Sequence, residues 1–123
     1  MQESPLTKAL LEQVRSTPSS VEFEDAISTI DTEYTYTPTA FTNGSISNVA
    51  GTNEGSCKIF AFAKLHSLSE PETLALFGTY YRDDVLANPD GDDHGNIRNF
   101  MKTGWAGIQF SDAALRATAS PAN

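Results

Sequence analysis

The residues able to do chemistry concentrate in two short polar stretches. The first is Ala50-Gly51-Thr52-Asn53-Glu54-Gly55-Ser56-Cys57-Lys58, a glycine-punctuated loop that runs into an apolar segment. Where such a loop opens a helix, the unbonded amides of the first turn favour an anion. A nucleotide-type phosphate loop does not fit: the glycines are too closely spaced, Lys58 does not directly follow one, and Glu54 repels phosphate. Lys58 in a first helical turn opposes the helix dipole, so something negative should offset it, Glu54 or a neighbouring aspartate or else a bound anion. Asn53, Glu54 and Lys58 are the ligand-binding candidates here. Cys57 near a helix start has a setting that stabilises a thiolate, which makes it a candidate nucleophile. His66, nine residues on, is about 13 Å away along a helix and too far to serve as its base. A lone cysteine beside Ile59 and Phe60 is otherwise a small core residue.

The second stretch, Asp90-Gly91-Asp92-Asp93-His94-Gly95, packs carboxylates and one imidazole into a loop, as metal ligands often are. Aligned as a calcium loop from Asp90, it puts His94 at the fifth place and Met101 where the bidentate glutamate belongs, so that match fails. A divalent metal on Asp92, Asp93 and His94 needs further ligands from elsewhere; a solvated turn that offsets Arg82 or Arg98 is the alternative. Arg98 and Asn99, in Asn96-Ile97-Arg98-Asn99, complete the binding candidates because an arginine beside amides can grip a carboxylate. Asn43-Gly44-Ser45 has the form of a glycosylation sequon but reads as turn chemistry.

Composition bounds what these groups can act on. The formal net charge is −8 and the sequence pI about 4.5, so the protein's own field opposes nucleic acid and anionic membranes. No apolar run approaches the roughly 20 residues of a spanning helix. One cysteine permits no internal disulfide, which fits a reducing cytoplasm. The N-terminal 20 residues lack the apolar core of a secretory signal; their many hydroxyls resemble leaders read by specialised bacterial export machines. At 123 residues one hydrophobic core suffices, and no linker or repeat divides the chain, so a single domain over 1–123 is expected.

The elements that must position the polar loops follow from periodicity. Leu6, Leu10, Leu11 and Val14 predict an amphipathic helix from Ser4-Pro5, and Phe23, Ile27, Ile30 and Tyr34 a second. Tyr34 to Thr37 alternates at period two and predicts a short strand. Asn43-Gly44 between Phe41 and Ile46 predicts a hairpin with a type I′ turn. Ser56 to Leu68, apolar almost all round, is the central buried helix. Ser69-Glu70-Pro71-Glu72 forms a capping box at the start of a long helix through Leu74, Phe77, Tyr81 and Val85, with Gly78 inside it packed closely on another element. Asn96 caps a helix that ends at Gly104, Ile108 and Phe110 form a final strand, and 117–123 frays. The fold class expected is helix-rich α+β with a small antiparallel sheet or hairpin.

Tyr36-Thr37-Pro38-Thr39-Ala40-Phe41, Asn43-Gly44, Asn48, Ala50-Gly51, Asn53 through Phe60, Thr73 to Leu86 and Asp90 through Trp105 resemble the HopJ type III effector family across about residues 21–115. The resemblance implies a bacterial, effector-like chain that a type III secretion system could export. It implies no catalytic residue and no cofactor, so no site is carried over. Two functions stand beside it. One is a binding protein for an unknown protein partner or small anionic ligand, using Asn53, Glu54, Lys58, Arg98 and Asn99. The other is a small cytoplasmic enzyme in which His94 shares proton transfer with Glu54, Asp92 or Asp93, with or without a metal. Both require the two polar stretches to meet.

Overall fold

A computed structural model describes residues 5–117. Helix α1 (Pro5–Ser16) begins with proline in its first turn, where a missing amide costs nothing, and buries Leu10, Leu11 and Val14. A 3-10 turn (Pro18–Ser20) leads to α2 (Phe23–Glu33), whose Ala26 and Ile30 face the core. Glu33, the last residue of α2, reaches the start of α1: its carboxylate accepts from the amides of Leu6 at 3.0 Å and Thr7 at 2.7 Å, and from the Thr7 hydroxyl at 2.7 Å. One acid thus closes α2 and caps the start of α1, the helix before it. The predicted start of α1 at Ser4, and the tail over 118–123, lie outside the described residues.

Strand β1 (Tyr34–Tyr36) pairs antiparallel with β5 (Leu115–Ala117), with Tyr36 opposite Leu115. The chain therefore has a strand beyond the one predicted to be last, and Ala117, expected to fray, sits in it. A second sheet has the order β3-β2-β4, built from β2 (Phe41–Asn43), β3 (Ile46–Asn48) and β4 (Ile108–Phe110), all antiparallel. The hairpin forms where expected but turns differently. Asn43 pairs with Ile46, so Gly44 and Ser45 are the central residues, and only Gly44 has positive φ (+61°). That is the type II′ pattern, with glycine first, in place of type I′.

Helix α3 (Glu54–Leu65) runs through the middle, with Ile59, Phe60 and Phe62 fully buried. Phe60 is the hub of the aromatic core, with ring centres 5.4 Å from Phe77, 5.0 Å from Phe100, 6.0 Å from Phe41 and 6.5 Å from Trp105. Burial of each such side chain contributes about 1.5–3 kcal/mol. The capping box forms: the Glu72 amide donates to Ser69 Oγ at 3.2 Å, and the Ser69 amide to Glu72 Oε1 at 2.8 Å.

The long helix predicted after it does not form. Helix α4 (Glu70–Ala75) ends early, Gly78 takes φ +61°, and Tyr80–Val85 continues as a π-helical stretch, with the Leu86 amide reaching the Tyr81 carbonyl. A Cβ on Gly78 would stand 2.6 Å from the Phe23 backbone nitrogen, so the expected close packing is present and the expected helical backbone is not. Helix α5 (Gly95–Thr103) then ends at Gly104, and a 3-10 turn (Gly104–Gly107) delivers the chain to β4. The residue before α5 is His94; Asn96, predicted as its cap, lies in the first turn and is buried.

Candidate functional site

Helices α3 and α5 begin in the same unusual way. The residue before each is left-handed, Asn53 at φ 51°, ψ 46° and His94 at φ 50°, ψ 49°, and neither helix has a side-chain cap. Capping by the flanking residue uses extended backbone there, which aims a side-chain oxygen at the first-turn amides. Left-handed backbone withholds it. The first intrahelical bonds run from Cys57 to Asn53 and from Arg98 to His94, which leaves the earlier amides open.

Both helix starts line one cleft of about 440 Å³. Gly55 and Ser56 come from α3 with Asn53 just ahead of it, and Gly95, Asn96 and Ile97 from α5 with His94 just ahead of it; Phe23, Ile46, Phe77 and Tyr80 supply the apolar wall. The imidazole of His94 is fixed by Asp84 on the π-helical stretch, with Nε2 to Oδ2 at 3.0 Å, and its ring lies 5.1 Å from that of Tyr80. A carboxylate only accepts, so the bond places hydrogen on Nε2 and leaves Nδ1 as the acceptor of the neutral ring.

A buried asparagine cluster holds the two helix starts together. Asn43 Nδ2 donates to the Asn96 carbonyl at 2.7 Å and Asn96 Oδ1 at 3.0 Å; Asn96 Nδ2 donates to Asn48 Oδ1 at 3.0 Å. Asn53 Nδ2 donates to the same Asn48 oxygen at 2.7 Å. Hairpin β2–β3 is thereby tied to both α3 and α5. Asn99 belongs to this scaffold as well, its amide donating to the Asn43 carbonyl. The buried side chain of Asn43 explains why the sequon is turn chemistry.

The remaining candidates point elsewhere. Glu54, Cys57 and Lys58 share a helix face by the i, i+3, i+4 rule, and it is the face toward β1. Lys58 Nζ lies 2.8 Å from Asp31 and 5.0 Å from the centre of the Tyr36 ring; the compensating acid is an aspartate from α2. Cys57 is buried with its thiol 3.6 Å from the Thr39 carbonyl, and burial first, with Glu54 adding, raises its pKa and favours the unreactive thiol. Tyr36 is raised likewise, by burial and by nearby Cys57 and Glu54, and its hydroxyl has no hydrogen-bond partner of good geometry. Arg98 closes its own loop: Nη2 meets Asp93 at 2.6 Å and Nη1 the Asn88 carbonyl at 2.7 Å, and this hydrogen bond holds the Asp93 carboxyl below its ordinary value. Asp92 is exposed. Among the described residues no group of three or more His, Cys, Asp and Glu is arranged to hold a metal ion. Of the candidates, the cleft brings together Asn53 and His94 and adds Ser56, Tyr80, Asn96 and, through His94, Asp84. The helical phase that turns Gly55 and Ser56 away from Glu54, Cys57 and Lys58 was the signal available in the sequence; Asn53, left-handed and ahead of the helix, is placed by its own backbone instead.

Fold and site define a helix-rich α+β protein with one polar-rimmed cleft between two helix starts. The HopJ type III effector protein family model matches residues 7–115, and the chain belongs to that family. The crystal structure of VPA0580, a protein of unknown function, is similar over 95% of this chain and 96% of its own, at 50% identity and a TM-score of 0.89. No curated protein matches.

Proposed function

We propose that this protein is a binding protein whose cleft between α3 and α5 takes a small anionic ligand. The observation that carries this reading is the convergence of two uncapped helix starts, with open amides, on one cavity of about 440 Å³. Cavities of roughly this size suit small molecules. The net charge of −8 supports local backbone dipoles, not a broad basic surface, as the source of attraction, and disfavours nucleic acid. Among the described residues no helix is long and apolar enough to cross a membrane. The effector role in the family's name is part of the same proposal: a chain made in the bacterial cytoplasm and exported by a type III system would carry the binding site with it.

The test is an amide NMR titration and thermal-shift screen with acetate, sulfate and inorganic phosphate. A fitting anion shifts the amides of Gly55, Ser56, Asn96 and Ile97 saturably and raises Tm. Ser56→Asp puts a carboxylate in the first turn of α3, where it favours the helix and repels an anion, so binding is lost while the fold is kept. Lys58→Ala and Arg98→Ala, whose charges are engaged with Asp31 and Asp93, leave binding unchanged. Amides that ignore every anion, and the benzoate probe below, end this reading.

A second reading, a small enzyme, is favoured by the 3.0 Å His94–Asp84 pair at the cleft. An imidazole oriented by a carboxylate can act as a general base through Nδ1. Its acid is Asp84, in place of Glu54, Asp92 or Asp93. Turnover that vanishes in His94→Ala while anion binding persists would support it.

A further inference from the structure

The wall of the cleft narrows the ligand class. Phe77, Phe23, Tyr80 and His94 form a continuous run of rings: Phe23 lies 6.3 Å from Phe77 at 13°, 5.0 Å from Tyr80 at 62°, and Tyr80 lies 5.1 Å from His94. This run touches the polar end directly. A Cβ on Gly55 would stand 3.0 Å from Phe23 Cζ, and one on Gly95 3.5 Å from Ile46 Cδ1. Each helix start thus has an apolar side chain packed against its glycine, so the apolar wall and the first-turn amides adjoin. Aromatic faces and edges reward a ring placed among them.

Charge narrows the class further. No lysine or arginine is among the residues lining the cleft, and the acids Asp84 and Asp93 stand 3.0 Å and 3.9 Å from His94 Nε2. A phosphomonoester carries nearly two charges and is gripped best by arginine or lysine. A carboxylate carries one charge on two coplanar oxygens, which backbone amides alone can satisfy. Acetate would leave most of 440 Å³ empty.

We infer that the cleft binds an aromatic monocarboxylate, its ring against Phe23 and Tyr80 and its carboxylate on the amides that open α3 and α5. The inference rests on the anion-binding reading above and deepens it.

The experiment titrates the full chain, followed by amide and aromatic NMR, with benzoate, acetate, phenyl phosphate and benzyl alcohol. Benzoate is expected to move the amides of Gly55, Ser56, Asn96 and Ile97 together with the ring signals of Phe23 and Tyr80. It should bind about tenfold tighter than acetate, the upper range of an aromatic pair contribution, and tighter than the other two. Tyr80→Leu keeps apolar bulk without a ring and should shrink the benzoate-to-acetate ratio severalfold, with circular dichroism unchanged; Phe23→Leu is the second variant should that one misfold. Equal affinity for benzoate and acetate overturns the aromatic class and leaves the anion site standing. Phenyl phosphate binding more tightly, or benzyl alcohol equally well, overturns the carboxylate class. Cleft amides unmoved by any probe remove the underlying reading as well.

Discussion

Asp84 Oδ2 lies 3.0 Å from His94 Nε2, and His94 is also the left-handed residue that opens α5. Side-chain orientation and the open amides are therefore set at one residue. Asp84→Asn should remove the preference for hydrogen on Nε2, read as a change in the two imidazole nitrogen shifts toward a tautomer mixture. Half of the Asp84 side chain is exposed (48%), so stability should change by no more than about 1 kcal/mol. An unchanged tautomer in the variant would mean that the Asp84 carboxylate does not set it.

The asparagine cluster makes the opposite demand, because its central members Asn43, Asn48 and Asn96 are buried. Asn48 accepts from Asn96 and Asn53 and donates to Asn96 at 3.2 Å. Asn48→Ala leaves the buried Asn96 side-chain amide without its acceptor, at a cost of about 2–3 kcal/mol, while the exposed Asn53 amide turns to water. Urea unfolding should show a lower midpoint at unchanged m-value, and the amides of Asn53 and Asn96 should broaden together. A loss below about 0.5 kcal/mol would mean that the amides find replacement partners.

Glu33 supplies a pH dependence unrelated to the cleft. Burial works against its charge, but hydrogen bonds from the Thr7 hydroxyl and the Leu6 and Thr7 amides outweigh it and lower the pKa. A carboxyl lowered in the folded state adds stability that is complete above its unfolded value, about 4.3, and is lost as pH falls through the folded value. Asp93, lowered chiefly by its hydrogen bond to Arg98, acts in the same direction. The urea midpoint should thus be flat near neutrality and decline from about pH 5 downward. In Glu33→Gln it should be lower at pH 7 and decline less steeply. A slope identical to the parent would assign the acid sensitivity to other groups.

Much of this architecture was legible because burial repeats with the period of the element that achieves it. Leu10, Leu11 and Val14, or Ile59, Phe60 and Phe62, disclose helices, and Ser69 with Glu72 discloses a helix start. What escaped was local backbone that breaks no periodicity. Phe77, Tyr81 and Val85 keep helical spacing across the break at Gly78, so the π-helical stretch that presents Tyr80 and Asp84 left no mark. Asn96 has the side chain of a cap, and only its distant partners Asn43 and Asn48 show that it is a buried strut. For the site, residue type pointed to the right loops, but type alone does not say which side of α3 each group faces. Helical phase sends Gly55 and Ser56 to the cleft and Glu54, Cys57 and Lys58 to β1, while the left-handed backbone ahead of the helix brings Asn53 to the cleft.

That break carries the sharpest stability test, because Gly78 and Gly51 share a positive φ and differ in their surroundings. Gly51 has φ +89° and nothing within 4 Å of the place a Cβ would occupy. Gly51→Ala should therefore cost only the backbone strain of a side chain in that region, about 1–2 kcal/mol. Gly78 has φ +61°, and its Cβ would meet the Phe23 backbone nitrogen at 2.6 Å and Glu22 atoms at 3.3 Å. Backbone cannot rotate aside as a side chain can, so Gly78→Ala must also push α2 away from the turn, for a total above about 3 kcal/mol. Phe23 also forms part of the cleft wall, so the displacement should reach the site: the Gly55 amide should shift in Gly78→Ala and stay in place in Gly51→Ala. Equal destabilisation of the two variants by urea unfolding would show that the start of α2 yields without cost, and the Phe23 wall would then be softer than its packing implies.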